Sequence, residues 1–254
     1  MKRKISLLVI VSMIALSTQA QFYLGAKLGL NFANFSASVP NYNYSTKIGL
    51  NGGAAIKYKF NKNWGVQMDL LYSQMGSNGK SVTIAKDETT NTSITTTIKP
   101  AYTFSYLQVP LYANIEIPIK SEEIIPYRYS DNIVFIHLFA GGYFGYALSN
   151  NTSTLTTTLV VDENNNATST SSKSSGSSSK FNAIDYGLGF GAGIAFKLSS
   201  KGRLTVDGRY LLGMSDFNSN KGIVGTKVTM KNTAPQIQIG YIQRISKLKR
   251  WQKD

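Results

Sequence analysis

The chain has 254 residues, no cysteine, and 27 Lys and Arg against 13 Asp and Glu, a formal charge of +14. The length suits one domain, and the absence of cysteine excludes disulfides, thiolate catalysis and Cys-based metal sites. A basic excess of this size can serve nucleic-acid binding, but the leader at the start of the chain argues for export. Nucleic acid is therefore not an expected partner, and anionic headgroups or solutes match the charge better.

Lys2, Arg3 and Lys4 precede the apolar stretch Ile5 to Leu16, and Thr18 and Ala20 are small residues at the two positions a signal peptidase reads. Residues 1–20 are expected to be a cleaved signal peptide. Taking its three positive charges from +14 leaves +11 for the mature chain. No later segment is apolar enough to cross a bilayer as a helix. A spanning structure would have to be a closed β-barrel, the other form that satisfies every backbone group in lipid.

Two-residue alternation then recurs eight times. The first strand, Phe22 to Phe32, sets Phe22, Leu24, Ala26, Leu28, Leu30 and Phe32 against Tyr23, Gly25, Lys27, Gly29 and Asn31. Successive side chains on a strand point to opposite faces, so one face is oily and the other small or polar. The second strand runs from about Lys47 to Phe60, and Asn61-Lys62-Asn63 closes a tight hairpin into the third, Trp64 to Tyr72. The fourth spans about Tyr102 to Ile117, where Pro110 cannot donate to the ladder and predicts a bulge or local break. The fifth is about Val134 to Leu148, the sixth Ile184 to Leu198, the seventh Arg203 to Met214, and the last about Gln236 to Ile245. In the sixth, Ile184, Tyr186, Leu188, Phe190, Ala192, Ile194, Phe196 and Leu198 oppose Asp185, four glycines, Ala195 and Lys197.

The connections alternate in length. Asn61–Asn63 and Ser199–Gly202 are short, whereas Ala33–Thr46, Met75–Ala101, Ser149–Ala183 and Ser215–Ala234 are long. Short periplasmic turns and long outer loops follow this order in outer-membrane barrels. Pro118 to Asn132 is long for the periplasmic side and departs from it. Asn150 to Lys180 is almost entirely Ser, Thr and Asn with a few charges, and is expected to be mobile, a hydrophilic brush with a recognition loop as the alternative.

Alternation alone does not say which face is outside, since a soluble eight-stranded barrel would hold its oily face inward. The Gly-rich second face, loops long at one end and aromatics at strand ends favour an all-β, eight-stranded antiparallel transmembrane β-barrel in the bacterial outer membrane. The barrel is expected over residues 21–246, followed by a basic periplasmic tail, 247–254. An aromatic girdle is expected from Tyr58, Phe60, Trp64, Phe196 and Tyr241 at the periplasmic end, and Tyr72, Tyr102, Phe104, Tyr146 and Tyr186 at the outer end. Eight strands leave an interior just wide enough for side chains. The inward series carries Lys27, Lys47, Lys57, Asp69, Glu116, Asp185, Lys197, Arg203, Asp207 and Arg209. Both signs are present, and an unpaired buried charge is costly, so a plug of paired charges is expected; the same residues lining a narrow water-filled pore are the alternative.

Gly25-Ala26-Lys27-Leu28-Gly29-Leu30-Asn31-Phe32, Tyr106-Leu107-Gln108-Val109-Pro110-Leu111, Asp185-Tyr186-Gly187-Leu188-Gly189, Arg209-Tyr210-Leu211-Leu212-Gly213 and Gly240-Tyr241 resemble, in order, segments of PorT-like outer-membrane β-barrel proteins. The resemblance covers essentially the whole mature chain. It implies a small barrel of OmpA or OmpX build and no settled activity, with protein secretion associated with the name-giving member. The closing strand departs from the pattern, running through Arg244-Ile245 into Lys247-Leu248-Lys249-Arg250-Trp251 rather than ending on an aromatic.

Chemistry is sparse. His137 is the single histidine, inward and toward the periplasmic end, and reads as a hydrogen-bonded filler rather than a catalytic base. Asp87-Glu88 and Asp162-Glu163 are isolated acidic pairs, and the Gly-x-Gly runs lack the strand–turn–helix setting of phosphate loops. The expectation is a monomeric barrel without catalysis, cofactor or metal, with a structural or interaction role, among membrane lipids including lipopolysaccharide and with an envelope protein as a candidate partner. A narrow passive channel for small solutes is the alternative.

Overall fold

The computed structural model describes residues 21–37, 43–90, 92–119, 134–177, 181–216 and 229–245. The expected signal peptide, most of the 118–132 turn and the basic tail lie outside these residues. The strands are β1 (Gln21–Ala37), β2 (Asn43–Lys59), β3 (Trp64–Asp87), β4 (Thr92–Ile119), β5 (Val134–Val161), β6 (Ala167–Ser177), β7 (Ile184–Lys197), β8 (Gly202–Gly213) and β9 (Met230–Arg244).

Eight of them form a closed antiparallel ring, β1-β2-β3-β4-β5-β7-β8-β9, with β9 returning to β1. Closure leaves no edge within the ring, which a sheet in lipid requires. The oily series of every strand is on the outside. Leu28, Leu70, Leu111, Leu138, Phe190 and Ile239 all present their side chains outward and exposed, while Asp69, Glu116, Asp185 and Asp207 on the opposite face are buried. This inside-out polarity separates a membrane barrel from a soluble one. Tyr186 and Phe196 of β7 are ten residues apart, about 33 Å along a strand and about 25 Å along the axis at a tilt near 40–45°, the height of an outer-membrane apolar band.

Pro110 interrupts one ladder as expected. β3 pairs with β4 up to Met68–Leu111 and resumes at Leu71–Gln108 in the same register, while the β5 side stays continuous through Pro110–Tyr143. The irregularity on the β5 side falls instead between Ser105 and Tyr106, where β5 carries one extra residue.

Two expected loops are strands. β3 and β4 continue upward to a turn at residues 88–90, with Asp87 opposite Thr92, and β5 continues beside β4 to Val161 before turning back as β6. Asn150–Lys180 is therefore largely a hairpin rather than a brush. β-Branched Thr, Val and Ile make up most of 155–161 and 93–98, residues that suit a pleated surface, and the upper part of β4 gives β5 a hydrogen-bonding edge that a lone polar segment lacks. The result is a four-stranded sheet, β3-β4-β5-β6, standing above one side of the barrel.

Candidate functional site: the filled lumen

The lumen is layered, and strand alternation builds each layer by placing residues i and i+2 on one face. At the end with the short turns, Lys57 and Lys59 of β2 each donate to one oxygen of Glu116 on β4. Arg203 Nη1 on β8 joins Glu116 Oε2 at 3.0 Å, and its guanidinium stacks 4.2 Å from the Phe135 ring centre. One carboxylate thus holds three cations from two other strands.

The next layer centres on Asp207. Its Oδ2 accepts from Lys27 Nζ at 2.5 Å and lies 3.4 Å from Arg209 Nη2, and its Oδ1 meets His137 Nε2 at 2.7 Å. Arg209 Nη2 also donates to Asp69 Oδ2 at 2.8 Å, Gln67 Nε2 donates to the same carboxylate at 3.0 Å, and Tyr112 and Phe139 flank the guanidinium. Above it is an amide chain: Gln238 donates to Asn51 at 2.6 Å, Asn51 to Asn31 at 2.5 Å, and Asn31 to Ser73 at 2.9 Å.

Asp185 sits higher and takes neutral donors, Ser215 at 2.5 Å, Asn232 at 2.9 Å and Tyr143 at 3.4 Å. Among the described residues it has no cation beside it. An apolar layer then closes the outer end: Phe35, Met75, Phe104, Tyr106, Tyr143, Leu211 and Met230 are buried together, with Tyr102 and Phe181 packed against them. Phe104 lies between Phe35 at 5.9 Å and Phe181 at 5.0 Å, ring centre to ring centre.

Of the charges read from the sequence, Lys27, Lys57, Asp69, Glu116, Asp207, Arg209 and Arg203 meet in these two ionic layers, whereas Asp185 stands apart. Lys47 also lies elsewhere, near the base of the protruding sheet, donating to the Thr103 hydroxyl. Lys59 was missed as a partner, although it shares the parity of Lys57. Of the girdle residues, Phe60, Trp64, Tyr72, Tyr186, Phe196 and Tyr241 are exposed outward, and Tyr58 packs on Phe60 at 5.2 Å. Tyr102 and Phe104 are corrections. They share the parity of Tyr106, Tyr112 and Glu116, point inward and belong to the apolar layer. That layer is the main feature the sequence reading overlooked, and strand parity was the signal for it.

Among the described residues, no group of three or more His, Asp or Glu is placed to hold a metal ion. The arrangement offers packing more than reaction chemistry: three carboxylates shared among five Lys and Arg side chains in the lower half, aromatic rings across the upper half.

Several solved structures are similar to the chain. Neisserial surface protein A shares 14% identity at a TM-score of 0.41, covering 89% of this chain and 99% of its own. OprG from Pseudomonas aeruginosa shares 11% at 0.41, covering 90% and 97%. Ail, the attachment invasion locus protein of Yersinia pestis, shares 14% at 0.35, covering 88% and 98%. No curated relative matches the sequence. The family match is stronger: residues 17–219, well over half of the chain, match the outer membrane protein beta-barrel domain. The chain belongs to that family, and it is a β-barrel protein of the bacterial outer membrane.

Proposed function

We propose that the protein is a closed, non-catalytic barrel that anchors and presents its protruding sheet at the cell surface, in a structural or interaction role within the envelope. The observation that carries this reading is the filled lumen, an ionic plug below and an aromatic layer above. A transport route would need a continuous hydrated path, and the Phe35–Phe104–Phe181 cluster lies across it. The PorT-like segments support a role beside an envelope or secretion complex, and outer-leaflet lipids including lipopolysaccharide are the surroundings the outward face fits. The network of Lys27, Lys57, Asp69, Glu116, Asp207 and Arg209, with Asp185 above it, serves stability rather than turnover in this reading.

One observation favours a narrow channel as the second reading. Tyr112 Oη, both polar atoms of the Asn114 side chain, His137 Nδ1 and Gln236 Nε2 are buried without a protein hydrogen-bond partner, and groups in that state bind internal water. Single-channel recording of the refolded mature protein separates the readings, once a heat-dependent gel shift has established folding. A folded but electrically silent barrel supports the plug, and stable conductance steps replace it with the channel. Replacing residues 155–173 by an Asn-Gly turn is expected to abolish the interaction role in cells while sparing barrel assembly.

A further inference from the structure

The protruding sheet carries the outward face of the barrel past the lipid belt, and one row of it is cationic. Asn43 pairs with Lys80, Lys99 pairs with Leu155, and Leu155 pairs with Lys173. The pairs Asn78–Ala101 and Ser81–Ile98 bracket Lys80 and set it directly beside Lys99. Lys80, Lys99 and Lys173 are exposed, whereas Gly79, Ser81 and Pro100 on the other face are buried. Three lysines thus share one face across four strands, two of them as direct cross-strand neighbours about 5 Å apart. Like charges in that position are destabilising, so the row is a feature that an anion would relieve.

No carboxylate of the described residues offers that relief. The sheet's acids are Asp87, Glu88, Asp162 and Glu163 at its tips, seven or more residues from the row. That is about 20 Å or more along the strands, well past the ~8 Å screening length of physiological salt. Asp87 and Asp162 are also engaged in their own turns, to Thr89 N at 2.9 Å and Asn166 N at 2.8 Å. Below the row, Lys47, Ala101, Thr103, Asn151, Ser153 and Ser175 line an open hollow of about 410 Å³, within the ~300–1,000 Å³ of small-ligand sites. It adds a fourth lysine and several hydroxyls.

Height selects the ligand. Lys80 is eight residues above Tyr72, and Lys99 eight above Leu107, where the unbroken apolar series of the outward face gives way to Gln74, Gly76 and Asn78 on β3 and Ser105, Thr103 and Ala101 on β4. At ~3.3 Å per residue and a tilt near 40–45°, the row stands roughly 19 Å above the belt. A phospholipid headgroup layer is only about 5–8 Å thick, so its phosphates stop well below the row. A glycolipid with a thick, phosphorylated sugar headgroup reaches it.

We infer that Lys80, Lys99 and Lys173, with the hollow at Lys47 and Thr103, form a binding site for the phosphorylated oligosaccharide headgroup of an outer-leaflet glycolipid. The inference rests on the outer-leaflet placement used above and names its ligand; it does not depend on whether the lumen conducts.

The test is retention of lipopolysaccharide bearing a phosphorylated core by the folded full-length barrel, read by native mass spectrometry and titration in neutral detergent. Each lysine near an anionic surface contributes a factor of about five, so K80Q/K99Q/K173Q should weaken retention roughly a hundred-fold. A control, K62Q/K201Q/K231Q, removes the same charge elsewhere and should leave it unchanged, as should the heat-dependent gel shift in both variants. Equal loss in the control, undiminished binding in the triple variant, equal affinity for phosphatase-treated lipopolysaccharide, or equal affinity for phosphatidylglycerol would each overturn the assignment. Conductance and lipid retention are separate readouts, so failure of one leaves the other standing.

Discussion

Asp207→Ala is the sharpest test of the ionic plug. The carboxylate is 1% exposed and touches Lys27 at 2.5 Å, His137 at 2.7 Å and Arg209 at 3.4 Å. Arg209 keeps Asp69 at 2.8 Å after the change, but Lys27 loses its one ion-pair partner among the described residues. Removing one member of a buried pair costs about 3–5 kcal/mol, because the other charge is left without compensation. With a urea dependence near 2 kcal/mol/M, the unfolding midpoint in lipid vesicles should fall by roughly 1.5–2.5 M. The double variant Asp207→Leu/Lys27→Met removes both charges and should recover most of the loss, since replacing a buried pair by apolar side chains is often neutral. A midpoint within about 0.5 M of the parent for Asp207→Ala, or a double variant worse than the single, would show that the plug contributes little to stability.

Lumen shape gives a second contrast. A Cβ on Gly193 would lie 2.5 Å from both His137 Nε2 and Val206 O, whereas one on Gly208 meets nothing closer than 3.8 Å. Gly193→Ala should therefore lower stability by about 1–3 kcal/mol and Gly208→Ala by less than about 0.5 kcal/mol, both read by urea unfolding. On the lipid face, Leu138→Arg near mid-height should cost about 2–4 kcal/mol and slow folding into vesicles, whereas Ser171→Arg on exposed β6 should fold at the parental rate. Glu116→Ala leaves Lys57, Lys59 and Arg203 facing one another without their shared carboxylate, and should lower the midpoint at least as far as Asp207→Ala. An unchanged midpoint would indicate that the lower layer is hydrated rather than packed.

Strand parity was legible residue by residue, and it carried most of the fold. In β7 each member of the series from Ile184 to Lys197 falls on the face its position dictates, and the tight turns at 61–63 and 199–201 follow from short polar breaks between runs. The same parity rule places Tyr102 and Phe104 inward with Tyr106; reading them as girdle residues weighed aromatic character over position. The protruding sheet was less legible because Ser and Thr tracts have weak strand preference alone. Thr154 to Val161 becomes a strand because Ser93 to Pro100 lies beside it, and that neighbour is more than fifty residues away in sequence.

Two-residue alternation, Gly-rich inner positions and alternating turn lengths by themselves determined an eight-stranded barrel and which residues share a face, because a strand allows only two side-chain directions. Three things were decided by the tertiary structure. The ring's closure fixed which face meets lipid, since alternation is symmetric between inside and outside. It also fixed the charge partners: Glu116 collects Lys57, Lys59 and Arg203 because β2 and β8 converge on it across the lumen. The ladder of β3, β4, β5 and β6 brought Lys80, Lys99 and Lys173 into one row. Contacts between strands far apart in sequence depend on register, and register is set by the whole sheet rather than by any one segment.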